Sequence, residues 1–303
     1  MSGGGSLKVI IGSFLANVGI AAAKWGAAFF TGSGAMMAEA IHSSADCMNQ
    51  VLLLVGARQA QKPPDEIHPL GYGRSAYFWS FLVALMIFFG GGVLSINEGW
   101  EKTHHPEQPD HVWVAFVILG VSLVLEAAAA AQAAIEINKK RGGKVGFFEY
   151  LRLTTDVDLV VLFAENAAAV VGLFFAIGAL ALTVLTHNAA WDGYGCLVIG
   201  VLLTFVAWFL AREVKSLLDG ERADPTIEEA IKIEASADAR LGQVLRVITL
   251  QQGPSQVLVA AKLKVDPELK GGELITAINE FETRVRARCP EVKWQFIEPD
   301  FEA

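Results

Sequence analysis

The stretch SGAMMAEAIHSSADCMNQVLLLVGA, residues 33–57, decides how the chain folds. It is long and apolar enough to cross about 30 Å of hydrocarbon as a helix, yet it contains Glu39, His42 and Asp46. A charge at the centre of a bilayer costs at least ~2.5–3.5 kcal/mol on insertion scales, so each of these side chains needs a partner or a function. The stretch therefore predicts a membrane helix that carries a polar site.

The composition of the whole chain is typical of a membrane protein with a soluble tail. The 303 residues are 53% hydrophobic, and the mean hydropathy is +0.43. Of the 24 + 32 = 56 charged residues, 27 fall in residues 219–303 and only 29 in the first 218. The net charge of −8 provides no basic surface, so nucleic acid is not an expected partner. The cysteines Cys47, Cys196 and Cys289 are too widely spaced for a disulfide framework or a zinc finger.

Six stretches are long and apolar enough to span a bilayer as helices. They run near residues 8–31, 33–57, 75–98, 112–136, 156–185 and 191–212. Lys and Arg concentrate in the loops after spans 2 and 4, which predicts that these loops and both termini face the cytoplasm. The start of the chain shows no small-residue cleavage site after a short apolar core, so we expect a retained first span.

The charged tail has the pattern of a small mixed domain. Its predicted elements are a helix over 224–238, strands over 244–250 and 255–265, a helix over 271–289 and a strand over 292–298. Asp224 and Pro225 are suited to the start of the first of these helices. The predicted fold is therefore an all-α six-helix transmembrane domain over 1–218, followed by a small α+β domain (αββαβ, ferredoxin-like) over 219–303 that lies in the cytoplasm.

The polar residues of spans 2 and 5 indicate a site for a divalent metal ion. His42 and Asp46 are four residues apart and share one helix face, and an imidazole with a carboxylate suits zinc or another first-row metal. A pair that only hydrogen-bonds across the helix bundle is the alternative. In span 5, Glu165 is the best candidate for a third ligand. Asn166 offers either a weak fourth ligand or a helix-packing amide.

Further polar residues in the spans are accessory candidates. Asp158 lies two turns before Glu165 on the same face, but nearer the cytoplasmic end, where a charge costs less. Glu39 lies three residues before His42 and can serve either the site or a helix contact. Glu126 in span 4 and Asn17 in span 1 are interpreted as packing residues or as support for the ligands.

Taken together, these features resemble the cation diffusion facilitator family, in its zinc transporter nine-like branch. The resemblance is carried by the six spans, HSSAD at 42–46, HPLGYGR at 68–74, the acids of span 5 and the αββαβ tail. It implies a homodimer that exports divalent metal ions from the cytoplasm in exchange for protons. The implied ion is Zn²⁺, with Mn²⁺, Fe²⁺ and Co²⁺ as alternatives, and no organic cofactor is implied.

The resemblance also implies which positions hold the transported ion. In span 2 these positions are His42 and Asp46. In span 5 they fall on Leu162 and Asn166, and Leu162 cannot bind a metal. Glu165 is one position away from that face, so a modest rotation of the helix would bring it to the ion.

Two other metal sites of the family have only partial counterparts. In the loop after span 2, Asp65 and His68 match a second site, but its other histidine position is Tyr72. A loop that caps span 3 and packs at an interface is the alternative there. In the tail, the positions where some members bind metal hold Gln243, Lys262, Phe296 and Glu298, so we expect no binuclear site.

The predicted protein is an integral component of a bacterial inner membrane whose partners are lipid, divalent metal ions, protons and a second copy of itself. A non-transporting metal sensor or scaffold with the same fold is the alternative, because ligands are missing from span 5 and from the tail. An enzyme is not expected, since no nucleophile pairs with a base and HExxH does not occur. An ATP-driven pump is not expected either, since there is no GxxxxGK[ST].

Overall fold

The computed structural model of the protein describes residues 3–143, 145–154 and 157–301. In chain order, its elements are α1 (Gly3–Thr31), α2 (Gly34–Ala60), α3 (Ser75–Met86), a π-helical segment (Ile87–Val93), α4 (Leu94–His104), α5 (Val112–Arg141), α6 (Phe147–Leu153), α7 (Val157–Thr186), α8 (Ala190–Asp219), α9 (Pro225–Ser236), β1 (Leu241–Gly253), β2 (Gln256–Val265), α10 (Gly271–Arg288) and β3 (Val292–Asp300). The chain divides into two compact units, which are Met1–Gly56 with Trp79–Val214, and Ala57–Phe78 with Lys215–Ala303.

The helical transmembrane region is confirmed, but the count of six spans is not. Within the described residues, four helical stretches are long and apolar enough to cross a membrane, and these are Ser75–His104, Val112–Arg141, Leu159–Thr186 and Ala190–Asp219. Helix α2 is long as well, but Glu39, His42 and Asp46 lower its hydropathy. The first residue of the predicted fifth span, Asp156, lies outside the described residues.

The start of α2 is fixed to α8 by a buried carboxylate. Asp192, in the first turn of α8, accepts a hydrogen bond from the Ser33 hydroxyl at 2.6 Å and from the backbone N–H groups of Gly34 and Ala35. The first turn of a helix leaves such N–H groups without intrahelical partners and favours a nearby negative charge. The polar helix that carries the predicted ligands therefore has a defined starting point.

Close packing of helices in the first unit depends on glycine. A Cβ atom at Gly99 of α4 would stand 2.6 Å from the backbone nitrogen of Leu197 in α8, a distance that no side chain allows. Glycine therefore lets the two helix backbones approach closely, as is common in membrane helices.

The second unit contains a three-stranded sheet with strand order β1-β2-β3. β1 pairs antiparallel with β2, and β2 pairs parallel with β3, which gives the predicted element order αββαβ. Phe281 and Val285 of α10 are fully buried in its core. Asp224 begins α9 by accepting a hydrogen bond from the backbone N–H of Thr226 at 2.8 Å.

The connection between α2 and α3 belongs to this second unit. Gly73 packs against the turn between β1 and β2, where a Cβ atom at Gly253 would lie 2.6 Å from the Gly73 Cα atom. The predicted boundary at residue 218 stays a prediction, and this connection lies before it in the chain. In the structure it forms one compact body with the C-terminal segment.

Candidate metal site

Helix α2 places His42 and Asp46 side by side, as their spacing predicts. The Nδ1 atom of His42 is 3.6 Å from the Oδ1 atom of Asp46, and the two side chains are 2% and 18% exposed. This distance is too long for a good hydrogen bond. It matches the ~3.3–3.6 Å that separates two ligands of a tetrahedral zinc ion when each bond is ~2.0–2.2 Å. The pair therefore has the geometry of two ligands to one ion.

Three atoms of this pair are buried without a hydrogen-bond partner among the described residues. They are both ring nitrogens of His42 and the Oδ1 atom of Asp46. A buried polar atom without a partner costs about 1–3 kcal/mol, so most proteins do not leave such atoms unsatisfied. A cation held between the imidazole and the carboxylate would satisfy the atoms that face it.

A cavity of about 130 Å³ lies between α1, α2, α5 and α7. Its polar wall consists of Asn17, Ser43, Asp46, Gln50, Glu126, Glu165 and Asn166. The cavity therefore brings together three of the predicted ligands from two helices, although His42 does not line it. Glu126 and Asn17 also face this space, which is consistent with a supporting role near the ligands.

Glu165 is held by Asn49, a residue that was not predicted from the sequence. The Asn49 amide nitrogen donates a hydrogen bond to Oε1 of Glu165 at 2.6 Å, and both side chains are buried. Asn49 lies three residues after Asp46 and seven after His42, so it belongs to the same face of α2. That spacing was the signal that could have identified it. Through Asn49, the carboxylate of α7 is tied to the helix that carries the imidazole.

The fifth predicted span supplies an incomplete set of ligands. Glu165, Asn166 and Leu162 all line the cavity, and Leu162 has no atom that can bind a metal. Among the described residues, no three His, Cys, Asp or Glu side chains already lie in an arrangement that could hold a metal ion. The side chain of Asp158 lies outside the described part of the chain. The His42–Asp46 pair is thus formed, whereas Glu165 would have to move towards it.

Glu39 is paired with a buried cation through one of its two carboxylate oxygens. The Lys24 ammonium of α1 lies 3.1 Å from Oε2 of Glu39 and donates a hydrogen bond to the Ser43 hydroxyl at 2.7 Å. Glu39 is among the candidates that the sequence offers, whereas Lys24 was not predicted to take part. The signal for Lys24 was its position in the middle of an apolar span, where a charged side chain has a high free-energy cost unless it is paired.

The loop that matches the family's second site satisfies its own polar groups. The Asp65 carboxylate accepts hydrogen bonds from the backbone N–H groups of Ile67 at 3.1 Å and His68 at 2.6 Å, and from the Tyr72 hydroxyl at 2.6 Å. The Tyr72 hydroxyl and the His68 N–H hold the pKa of Asp65 below its usual value. The rings of His68 and Tyr72 pack with their centroids 4.1 Å apart. These contacts are what a loop needs to hold its own shape.

One of the tail positions is occupied by an ammonium group. Lys262 lies 3.6 Å from a carboxylate oxygen of Glu298 and also pairs with Asp300. The hydrogen bond to Asp300 and the nearby negative charges raise the pKa of Lys262. A protein cation therefore balances the carboxylates at this position.

The sequence from residue 10 to 218 matches the cation efflux transmembrane domain family, which is well over half of the chain. The protein therefore belongs to the cation efflux family of transporters, the cation diffusion facilitators. Within this family it is zinc transporter nine-like, as the sequence predicts.

Three relatives illustrate this relationship. The chain is 34% identical over 238 residues to the mitochondrial proton-coupled zinc antiporter SLC30A9 of Xenopus laevis, which covers 78% of this chain and 43% of the relative. It is 30% identical over 309 residues to SLC30A9 of Homo sapiens, and the match covers 89% of this chain and 54% of that relative. It is 33% identical over 203 residues to metal tolerance protein C4 of Arabidopsis thaliana, and the match covers 66% of this chain and 44% of that relative. The chain thus spans about half the length of the curated relatives it matches.

Family membership confirms the prediction of a membrane transporter rather than an enzyme. The mitochondrial names of the relatives give no support to the predicted bacterial inner membrane. Among solved structures, the copper form of a MamM C-terminal domain variant shares 12% identity, covering 25% of this chain and 94% of that one, with a TM-score of 0.24. So low a score adds nothing to the fold described above.

Proposed function

We propose that the protein exports a divalent metal cation in exchange for protons, with Zn²⁺ as the favoured ion. The observation that carries this proposal is the buried His42–Asp46 pair, whose unpartnered atoms are spaced like two ligands of one zinc ion. One imidazole with carboxylates and no thiolate also suits Mn²⁺, Fe²⁺ or Co²⁺, but not Cu⁺. The SLC30A9 relatives are named as proton-coupled zinc antiporters, which supports both zinc and proton coupling.

The proposed ligands are His42, Asp46 and Glu165, with the Asn166 carbonyl oxygen as a fourth. Asn49 engages only one oxygen of Glu165, so the other oxygen is available to the ion. Because the described side chains do not already form a three-ligand group, ion binding would draw α7 and α2 together. An ion that binds one conformation more strongly shifts the protein towards it, which is what a transporter requires of its substrate.

Proton exchange follows from the chemistry of the same residues. Binding requires a neutral imidazole at His42 and ionised carboxylates at Asp46 and Glu165, so an arriving metal ion displaces protons. Protons that enter when the cavity opens to the other side compete with the ion for these same atoms and release it. The protonated site then returns to the cytoplasmic side.

We further infer that residues 1–218 form the transmembrane domain and that residues 219–303 and both termini are cytoplasmic, because Lys and Arg concentrate in the loops on that side.

A homodimer is supported by one face of the C-terminal sheet. Ile248 and Phe296 are 47% and 58% exposed there, and a second copy would remove this apolar surface from water.

The proposal is tested by zinc-driven proton flux in sealed vesicles that contain the purified protein. His42→Ala and Asp46→Ala should each abolish flux, because each removes a ligand, while the variants keep the wild-type elution volume and helical circular dichroism. His68→Ala serves as the matched control and should transport at the wild-type rate. Wild-type flux in either ligand variant would show that the site has been assigned to the wrong residues.

A non-transporting metal sensor is the second candidate function, and the presence of Leu162 in the cavity wall favours it. Such a protein would bind Zn²⁺ through His42 and Asp46 without coupling it to protons. The same vesicles separate the two candidates, since a sensor binds zinc but shows no flux in the wild-type protein.

A further inference from the structure

Three side chains form a charged network inside the first compact unit. The Lys24 ammonium of α1 pairs with Oε2 of Glu39 at 3.1 Å and donates to the Ser43 hydroxyl at 2.7 Å. The Lys24 and Glu39 side chains are both 0% exposed. A buried charge is tolerated only when it is paired, so the position of each of these two groups depends on the other.

The network adjoins the proposed ion site through α2. Glu39 precedes His42 by three residues, and Ser43 lies beside Asp46 in the wall of the cavity. Lys24 donates a hydrogen bond to the Ser43 hydroxyl, and Ser43 shares the cavity wall with Asp46. A change at either charge would therefore be felt by a cation held at Asp46.

Glu39 is neutralised on one oxygen only. Its Oε1 atom is buried without a hydrogen-bond partner among the described residues. This oxygen is next to α7, because a Cβ atom at Gly172 would lie 2.9 Å from it. Glu39 thus presents a free oxygen to the helix that carries Glu165, and Lys24 is the group that offsets its charge.

We propose that Lys24 is a specificity-determining residue that withholds Glu39 from the transported ion. With Lys24 in place, the site offers one imidazole and two carboxylates, a set that suits Zn²⁺. Without its charge, Glu39 becomes a third carboxylate, and an oxygen-rich site favours a harder ion such as Mn²⁺. This inference rests on the proposed function, since it assumes that the ion binds at His42 and Asp46.

The informative substitution is Lys24→Gln. Its amide can still donate hydrogen bonds to Glu39 and Ser43, but it carries no charge. Zn²⁺ and Mn²⁺ binding to the purified full-length chain would be measured by calorimetry for the wild type, Lys24→Gln, Glu39→Gln, the double variant and Asp46→Ala. Thermal unfolding of each variant would be recorded in parallel.

Removing each charge is expected to change a different quantity: the ratio of the two affinities for Lys24, and the strength of both affinities for Glu39. Lys24→Gln should raise the affinity for Mn²⁺ relative to Zn²⁺ by about tenfold, because it frees a carboxylate in a poorly solvated site. Glu39→Gln should weaken the binding of both ions, because it leaves the Lys24 cation unbalanced. The double variant, which carries neither charge, should return to the wild-type ratio of affinities.

Other outcomes would overturn the proposal. If Glu39 were already a ligand, the double variant would bind as weakly as Glu39→Gln. If the network were only structural, unfolding temperatures would change while the ratio of affinities stayed constant. If Lys24→Gln does not fold, the Glu39→Gln variant tests the proposal, because its amide oxygen can still accept a hydrogen bond from Lys24. Unchanged Zn²⁺ and Mn²⁺ affinities in Glu39→Gln would contradict the proposal.

The Asp46→Ala variant separates this inference from the proposed function. Zinc binding that persists in Asp46→Ala contradicts the proposed function itself. Binding that depends on Asp46 but is indifferent to Lys24 contradicts only the role given to Lys24.

Discussion

Two carboxylate–imidazole pairs in this protein have almost the same geometry and opposite surroundings. The Nδ1 and Oδ1 atoms are 3.6 Å apart in the His42–Asp46 pair and 3.4 Å apart in the His68–Asp65 pair. The side chains of the first pair are 2% and 18% exposed, whereas both side chains of the second pair are 46% exposed. Distance alone therefore does not distinguish them.

The difference between the pairs lies in their hydrogen bonds. Asp65 accepts from two backbone N–H groups and from Tyr72, so its charge is satisfied without an ion. The His42 nitrogens and Asp46 Oδ1 have no partner within the described residues. Exposed pairs of this kind contribute little and are screened by salt, whereas buried polar atoms are costly until something binds them. Residue type and spacing identify candidate sites. Buried polar atoms without hydrogen-bond partners distinguish a candidate binding site from a structural turn.

The largest expected effect comes from making the same substitution in each pair. Asp46→Asn should weaken Zn²⁺ binding by more than ~100-fold, because even outer partners of metal ligands are worth ~10–100-fold and this residue is proposed as a ligand. Asp65→Asn should leave Zn²⁺ affinity within about twofold of the wild type, because its carboxylate serves the loop. Calorimetric titration of the purified protein measures both affinities.

Each variant controls for the other, since both remove one negative charge and keep the shape of the side chain. Equal losses in the two variants would erase the distinction between the pairs. A loss confined to Asp65→Asn would reverse it and move the proposed site to the loop.

A smaller effect is expected at Asn49, which touches Glu165 rather than the ion. Asn49→Ala should lower Zn²⁺ affinity by about tenfold, because the Glu165 carboxylate would lose the contact that orients it. Ser44→Ala is the matched control on the same helix, because its hydroxyl accepts from the Trp25 indole and contacts no proposed ligand. Equal affinities for the two variants would show that the Asn49 contact does not orient Glu165 for binding.

Much of this arrangement is predictable from the sequence. The 3.6-residue helical period places His42 and Asp46 on one face, and the pattern of the tail predicts the helix over 271–289 that the structure has as α10. Such local predictions hold because they depend on neighbours within one helix. The motifs HSSAD and HPLGYGR predicted the family, and the family match over residues 10–218 confirms it.

Contacts between elements distant in the sequence were not predictable in this way. The Lys24–Glu39 pair joins residues 15 positions apart, and Asn49 reaches Glu165 across 116 positions. No period or spacing within one helix reveals which face of another helix it meets. For Asp65 the motif was visible in the sequence, but only the structure shows the hydrogen bonds from Ile67, His68 and Tyr72 that satisfy its charge.

The smallest predicted effect tests the loop pair by itself, through the hydroxyl of Tyr72. Tyr72→Phe removes the main hydrogen bond to the ionised Asp65 carboxylate, so the pKa of Asp65 should rise towards its usual ~3.9. A depressed pKa contributes stability above the usual pKa and loses it as the pH falls through the lowered value, and the variant should lose this contribution. Carboxyl ¹³C NMR titration measures the shift, and calorimetry should show unchanged Zn²⁺ affinity. If Tyr72→Phe bound Zn²⁺ more weakly than the wild type, the loop would contribute to ion binding. Its polar groups could then no longer be regarded as stabilising only the shape of the loop.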